Sequence, residues 1–181
     1  LGFSSHGSPE TLRKFAALRD WDFAQIQLNY LDWELQQAKQ QYEILTERGI
    51  PVMVMEPVRG GRLASLCPEA DALLKALRPE LSIASWALRF VADLPNVQVV
   101  LSGMSTLEQL RDNLGTFSQE NPLTPEERHT LEEALSLFRK KFTIPCTGCG
   151  YCSGCPMELH IPEFLKAYNE YLISGSPMAL D

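Results

Sequence analysis

The sequence predicts an α/β fold with four parallel strands, followed by a small α-helical tail that carries a cysteine cluster. Four short apolar segments are each followed by a stretch with helical spacing of apolar residues, which is the pattern of parallel βαβ units. The strand-like segments stop near residue 120, and four of the five cysteines then fall within residues 146–155. We therefore divide the chain into an α/β body at 1–120 and a helical tail at 121–181.

The apolar segments define the predicted strands, which are 1–5, 23–28, 51–55 and 97–101. In the second segment Ala24, Ile26 and Leu28 alternate with polar residues, so one face of that strand is expected to be buried. The third segment is almost wholly apolar, which predicts cover on both faces, and the fourth is expected to be a buried strand as well.

Helical spacing and capping signals define the predicted helices, which are 9–20, 31–48, 69–77, 82–92, 105–116, 124–141 and 162–173. Ser8 and Pro9 form an N-cap and first turn for the first helix. Leu31, Leu35 and further apolar residues share one face of a single long helix at 31–48. The sequence from Ser105 to Glu108 has the pattern of a capping box, which predicts the start of a helix.

Composition excludes several classes of protein. The 181 residues are 45% hydrophobic, which is enough for a core and excludes a disordered chain. Sixteen basic and 23 acidic residues give a net charge of −7, so no nucleic-acid partner is expected. No apolar run approaches the roughly 20 residues of a membrane span. We expect a cytoplasmic protein with no membrane partner, and because it begins at Leu1 we expect a piece of a longer chain.

The cysteine cluster is the strongest chemical signal. Cys146, Cys149, Cys152 and Cys155 are separated by two residues each, and Pro156 follows the last. Small residues between them let the backbone curl and direct N–H groups at sulfur. The pattern is close to an iron–sulfur run, which predicts that all four cysteines bind one 4Fe–4S cluster.

Two alternatives remain open for these cysteines. A zinc site uses the same thiolates, although two residues between the C-x2-C pairs make tetrahedral closure awkward. Disulfides or free structural thiols are the other reading. Cys67 lies far away in the sequence and is expected to be an inert, small apolar residue.

Several motifs in a fixed order resemble one enzyme family. They are LGFSSHG, QIQLNYLD, VMVMEPVRGGRLA, SWALRF, VVLSGMSTLEQLRDN and CTGCGYCSGCP. The order resembles the C-terminal half of the aldo/keto reductases, and more closely the branch with a ferredoxin-like 4Fe–4S segment at its C-terminus. The resemblance implies that the body at 1–120 is half of a (β/α)8 TIM barrel and that its strands are the fifth to eighth of that barrel.

The resemblance also implies an activity. Aldo/keto reductases interconvert small-molecule carbonyls and alcohols by hydride transfer with NAD or NADP. Their catalytic tetrad lies on the first four strands, so no catalytic residue is expected in this chain. His6 follows the fifth strand of the family, where no catalytic acid is found, and is expected to be a loop histidine.

The resemblance assigns part of the family's cofactor-binding site to residues of this chain. Ser4, Ser5 and Gln25 match the nicotinamide contacts, and Met55 stands where many members place a stacking aromatic. The remaining matches are Gly60 and Gly61 at the pyrophosphate, Ser102, Gly103 and Met104 at the adenosine phosphate, and Gln109, Asp112 and Asn113 on the adenine side.

The matches leave the choice between NAD and NADP open. Gly103 and Gln109 stand where NADP-preferring members often have Lys and Arg, and a 2′-phosphate is poorly held without fixed cations. Arg59 and Arg62 are expected to be exposed loop charges.

Three functions and two kinds of partner follow from these observations. The leading hypothesis is that the chain is the C-terminal part of an NAD(P)-linked oxidoreductase with a 4Fe–4S cluster. The cluster either relays electrons to a redox partner or stabilises the structure of the tail. The alternatives are a non-catalytic electron-transfer module and a zinc-clipped scaffold. Because four parallel strands leave edges unpaired, we expect either the missing N-terminal barrel half or self-association.

Overall fold

The computed structural model describes residues 1–118, 121–141, 144, 146 and 151–174. Strands and helices alternate as predicted, in the order β1 (Gly2–Ser5), α1 (Pro9–Ala16), β2 (Phe23–Gln27), α2 (Asp32–Leu35), α3 (Ala38–Glu47), β3 (Val52–Met55), α4 (Pro68–Leu77), α5 (Ile83–Ala92), β4 (Val97–Val100), α6 (Leu107–Phe117), α7 (Pro125–Lys141) and α8 (Ile161–Ser174). Among these described helices, none combines the length and hydrophobicity that a membrane span requires.

The four strands form one parallel sheet in the order β1-β2-β3-β4. Each strand pairs with the next one along the chain, which is the arrangement that βαβ units produce. The register places Ser4 beside Gln25 and Gln27 beside Met55. The prediction of four parallel strands is confirmed. Because the carboxyl ends of all four strands point the same way, the loops that follow them lie at one edge of the sheet.

The chain divides into two compact units, one formed by Leu1–Ala64 with Ala84–Thr124 and the other by Ser65–Ile83 with Pro125–Asp181. The core of the first unit lies on one face of the sheet. Ile26 and Val54 on the strands are fully buried, as are Leu12 of α1 and Leu45 of α3. The alternation predicted for β2 is therefore observed, and the helices that follow β1 and β2 cover the apolar face.

The opposite face and the β4 edge are less covered than the sequence suggests. Met53 and Met55 are only half-buried, so the expectation of cover on both faces of 51–55 is wrong for this structure. The segment 97–101 is not a buried strand either, because Val99 is 37% exposed and Leu101 is 41% exposed. The physical reason is that β4 is the last strand of the sheet and has a neighbour on one side only.

The predicted helix at 31–48 is broken. Gln37 adopts a left-handed conformation (φ 54°, ψ 32°) between α2 and α3, and the Gln41 Nε2 group donates to the Gln36 carbonyl at 3.1 Å. Leu35, predicted on the apolar face, is 43% exposed because the break rotates it out of that face. A non-glycine residue with positive φ gives no clear sequence signal, which explains why the break was not predicted.

Two helix termini also differ from the predictions. Helix α1 ends at Ala16 instead of residue 20, and the Trp21 indole N–H donates to the Phe15 carbonyl at 3.0 Å as the chain turns toward β2. The capping box of α6 is formed by Thr106 and Gln109, one residue later than predicted. The Gln109 Oε1 atom accepts from the Ser105 backbone N–H at 2.7 Å.

The second unit is built from α4, α7 and α8. Helix α4 packs along α7, and the nearly buried Glu127 of α7 accepts from Arg78 at 2.6 Å. At the other end of the pair, Lys141 donates to Glu69 at 2.9 Å and lowers the pKa of that carboxyl. The asparagine Asn169 of α8 is buried within this unit.

Matched valine substitutions test the uneven burial of the sheet. Val54→Ala removes two buried methyl groups and is expected to lower the free energy of unfolding by roughly 2 kcal/mol. Val99→Ala on the partly exposed edge strand should cost less than about 0.5 kcal/mol. Urea unfolding followed by circular dichroism measures both, and equal losses would show that the two faces are equally covered.

Candidate functional site

A cavity of about 490 Å³ lies where β3 and β4 end. Its walls are the loop after β3 and the turn after β4 with the start of α6. The cavity brings together residues that the family resemblance assigns to the pyrophosphate and adenosine ends of a dinucleotide, namely Gly60, Gly61, Ser102, Gly103, Met104, Gln109, Asp112 and Asn113. Segments more than 40 residues apart in the sequence thus meet in one place.

The loop at 57–63, which we call the glycine loop, forms one wall. Arg59, Gly60 and Gly61 have positive φ angles of 51°, 59° and 86° in succession. Turn hydrogen bonds close the loop, with the Arg62 N–H donating to the Arg59 carbonyl and the Leu63 N–H to the Val58 carbonyl, both at 3.0 Å. In the described part of the chain, the Gly60 and Gly61 amides donate no hydrogen bond. Two exposed and unpaired N–H groups at a turn suit an anion.

The start of α6 forms the facing wall. Asn113 Nδ2 donates to Ser102 Oγ at 3.0 Å and so ties the helix to the turn after β4. Gln109, which the resemblance places on the adenine side, uses its side-chain oxygen to cap the helix. A helix that begins at Leu107 directs its positive dipole end toward the turn at 102–104. This wall can also accept an anion.

The three residues assigned to the nicotinamide end lie on β1 and β2 and do not line this cavity. Ser4 and Gln25 are register neighbours, and Gln25 Nε2 contacts the Met55 sulfur at 3.3 Å. Met55 itself lines the cavity, so Gln25 is one contact away from it. Ser5 instead accepts from the Gly7 N–H at 3.1 Å and lines a separate cavity of about 230 Å³ together with His6.

Arg59 contradicts the prediction of an exposed loop charge. Its side chain is 2% exposed, and its Nε group donates to both carboxylate oxygens of Asp32, at 3.0 and 3.1 Å. The Asp32 side chain is fully buried and also accepts from Gln27 Nε2 at 2.7 Å and Asn29 Nδ2 at 2.8 Å. Sequence reasoning missed Asp32. The signal that was available is the three-residue spacing of Asn29 and Asp32 after a strand, which favours an Asx turn.

The charged side chains that line the cavity are more acidic than basic. Arg59 is the one basic residue among the described residues that line the cavity, and its guanidinium is held by Asp32. Glu56 and Asp112 line the same cavity with carboxylates. Arg62 lies in the short turn after the glycines, outside the lining.

The cysteine cluster is described in part. Cys146, Cys152 and Cys155 are half-buried, and Cys149 lies outside the described residues. Within the described ranges, no three His, Cys, Asp or Glu side chains are close enough together to hold a metal ion. The buried Asn169 of α8 fixes the chain just before the cluster, because it accepts from the Ile144 N–H at 3.1 Å and donates to the Ile144 carbonyl at 2.7 Å.

Cys67 has the environment of a structural cysteine. It is 2% exposed, immediately before α4, and burial raises the pKa of its thiol. A high pKa leaves little thiolate at neutral pH, so both metal binding and nucleophilic attack are disfavoured.

Solved structures of the same architecture share this arrangement of strands and helices. The chain is 25% identical to aldo-keto reductase AKR11C1 from Bacillus halodurans in its holo form, with a TM-score of 0.56, over 74% of this chain and 49% of that one. The apo form of that protein matches at 24% identity and a TM-score of 0.55, over 72% and 49%. A protein provisionally identified as a 2,5-diketo-D-gluconic acid reductase B matches at 24% identity and 0.54, over 74% and 44%.

These matches assign the fold and its extent. The four parallel strands with their helices resemble part of an aldo-keto reductase TIM barrel, as predicted, and the chain spans about half the length of the structures that it matches. No curated protein sequence matches it. The model of the aldo/keto reductase family matches residues 1–136 of the 181, which is most of the chain. The chain belongs to the aldo/keto reductase family.

Proposed function

We propose that this chain supplies the dinucleotide-binding part of an NAD(P)-linked oxidoreductase that interconverts the carbonyl and alcohol forms of a small molecule. The observation that carries the proposal is the cavity at the ends of β3 and β4, where the unpaired amides of Gly60 and Gly61 face a wall formed by the start of α6. Backbone N–H groups at a turn, beside the start of a helix, are the donors that bind a pyrophosphate.

Different residues of the chain would bind different parts of the dinucleotide. The Gly60 and Gly61 amides would hold the pyrophosphate, and Ser102 with Asn113 would hold the adenosine side. Ser4 and Gln25 would orient the nicotinamide by binding its carboxamide group. The nicotinamide ring is the part of the cofactor that carries the hydride when the cofactor is bound. Because the family resemblance assigns the proton-donating tetrad to other strands, this proposal gives the chain binding and orientation and no catalytic residue.

The residues present fit NAD better than NADP. A 2′-phosphate needs a fixed cation, and the guanidinium of Arg59 is already held by Asp32. Asp112, on the adenine side of the cavity, adds negative charge where that phosphate would lie. We therefore propose NAD as the preferred cofactor.

Titration of the chain with reduced cofactors tests this assignment. NADH should bind saturably and more tightly than NADPH, as measured by cofactor fluorescence. Gly103→Lys should strengthen NADPH binding about fivefold, as one added ion pair of roughly 1 kcal/mol would give. A side chain at Gly103 meets no atom within 4 Å, so the variant should fold normally.

Gly115→Lys is the matched control, because Gly115 of α6 is equally open but does not line the cavity. It should leave both affinities unchanged. Absence of NADH binding, or tighter binding of NADPH by the unmodified chain, would contradict the proposal.

We further propose that Cys146, Cys149, Cys152 and Cys155 hold one 4Fe–4S cluster in a tail at 121–181, in a reducing compartment such as the cytoplasm. The support is the donor set, since four thiolates at two-residue spacing with small residues between them suit a polymetallic centre. The described sulfurs are not gathered into a ready-made site, so the loop would have to close around the iron. Asn169 anchors one end of that loop to α8.

Metal and sulfide analysis of anaerobically prepared protein tests the cluster. We expect about four iron and four sulfide per chain and an absorbance band that bleaches with dithionite. Cys152→Ser should lose the iron. Cys67→Ala should keep it, because Cys67 is a buried structural cysteine whose thiol has a raised pKa. Stoichiometric zinc without iron would establish the zinc-clipped alternative, and a colourless protein without sulfide would exclude the cluster.

We also propose that the open edges of the sheet are covered by further parallel β/α units, from a preceding part of the same polypeptide or from a second copy. The support is a set of exposed apolar residues on β4, directly after it and on α6, namely Val99, Leu101, Leu107, Leu110, Leu114 and Phe117. Exposed apolar patches of this kind mark interaction surfaces, and an unpaired strand edge offers N–H and C=O groups to a new strand.

Sedimentation of the chain by itself tests the open edges. We expect self-association at micromolar concentration, and Leu114→Lys on the exposed face of α6 should shift the chain toward monomer. Gln40→Lys adds the same charge to an exposed polar position of α3 and should have no effect. Sedimentation of the unmodified chain as a stable monomer would contradict this proposal.

A further inference from the structure

We propose that Asp32 is a positioning residue for the glycine loop. Its carboxylate holds the Arg59 side chain and thereby fixes the left-handed turn that presents the Gly60 and Gly61 amides. The identity of the ligand as a pyrophosphate rests on the function proposed above. The control of the loop by Asp32 does not, and the two parts are tested separately.

The carboxylate is held firmly from the β2 side. Asp32 Oδ2 accepts from Gln27 Nε2 at 2.7 Å and from Asn29 Nδ2 at 2.8 Å, while Asn29 Oδ1 accepts from the Asp32 N–H at 2.8 Å. Gln27 belongs to a central strand of the sheet. The position of the negative charge is therefore determined by the sheet and by the turn that starts α2, both of which exist without the glycine loop.

The glycine loop depends on that charge at Arg59. A positive φ is unfavourable for a residue with a β-carbon, and such a conformation persists only where the surroundings hold it. A guanidinium that is 2% exposed also needs a counter-charge, because an unpaired buried ion is far more costly than an exposed one. Without the carboxylate, the Arg59 side chain would turn to solvent and its backbone would leave the left-handed region.

Loss of that conformation would move the two glycine amides. Gly60 and Gly61 follow Arg59 directly, and the Arg62 N–H bonds to the Arg59 carbonyl at 3.0 Å, so the turn is built on the Arg59 backbone. Asn29 Nδ2 adds a second tie by donating to the Glu56 carbonyl at 3.0 Å. Asp32 therefore acts on the two glycine amides through Arg59, and it does not itself line the cavity.

The first test follows amide hydrogen exchange in Asp32→Asn, which keeps the shape and removes the charge. We expect the Arg62 and Leu63 amides to lose protection by about tenfold or more, since hydrogen bonds to charged groups contribute more than neutral ones. The sheet amides of Ala24 and Val52, which donate to other backbone carbonyls, should lose protection only to the extent that the variant lowers the free energy of global unfolding. Asp22→Asn makes the same chemical change at an exposed site and should alter none of the four amides.

A double variant separates positioning from general stability. Asp32→Asn with Arg59→Met also removes the buried guanidinium that has lost the Asp32 carboxylate, so global protection should recover while the Arg62 and Leu63 amides remain fast. Unchanged exchange of those two amides in Asp32→Asn would overturn the proposal. So would their recovery in the double variant together with Ala24 and Val52, because the ion pair would then serve stability alone.

The second test uses ADP, which contains a pyrophosphate, and adenosine, which does not. Asp32→Asn should weaken ADP binding about tenfold or more and leave adenosine binding unchanged, because the loss is confined to the glycine loop. If the unmodified chain binds neither compound while the exchange result is as expected, the dinucleotide proposal fails and the positioning role of Asp32 stands. Equal weakening of ADP and adenosine binding would overturn the link between Asp32 and the phosphate-binding amides.

Discussion

The buried pair of Asp32 and Arg59 joins the segments that follow two neighbouring strands of the sheet. Parallel strands deliver their loops to one edge, but the loops themselves have no common hydrogen-bond ladder to hold them. Here one carboxylate accepts from Gln27 and Asn29 on the β2 side and from Arg59 on the β3 side. The candidate cavity depends on this connection, because Arg59 precedes the two glycines that line it.

The pair contributes geometry more than stability. Removing two charges from water costs several kcal/mol per ion, and the mutual attraction roughly repays that cost, so an apolar pair of similar size would often be as stable. Removal of one partner is different and typically costs about 3–5 kcal/mol, since a charge is left buried and unpaired. The ion pair therefore adds little net stability, but breaking it is costly. Such a pair is suited to holding a strained turn in one conformation.

The sequence was sufficient for features that repeat, and insufficient for features that depend on a partner far along the chain. Period-two and helical spacing located all four strands and most helices, and the order of motifs identified the family. The burial of Arg59 could not be predicted in this way, because its counter-charge at Asp32 is 27 residues away at the start of α2. The break at Gln37 and the exposure of Val99 have the same origin: each is decided by neighbours in space.

The cavity and the open edge of the sheet follow from a single feature of the fold. The turn after β4 and the start of α6 provide one wall of the cavity, and the same strand and helix carry the exposed residues Val99, Leu110 and Leu114. Because Asn113 of α6 bonds to Ser102 in that turn, any unit that packs on the exposed side of α6 also bears on the wall of the cavity. If the edge is covered and the cavity binds a dinucleotide as proposed, both would act on α6, and the affinity for the dinucleotide should then depend on whether the edge is occupied.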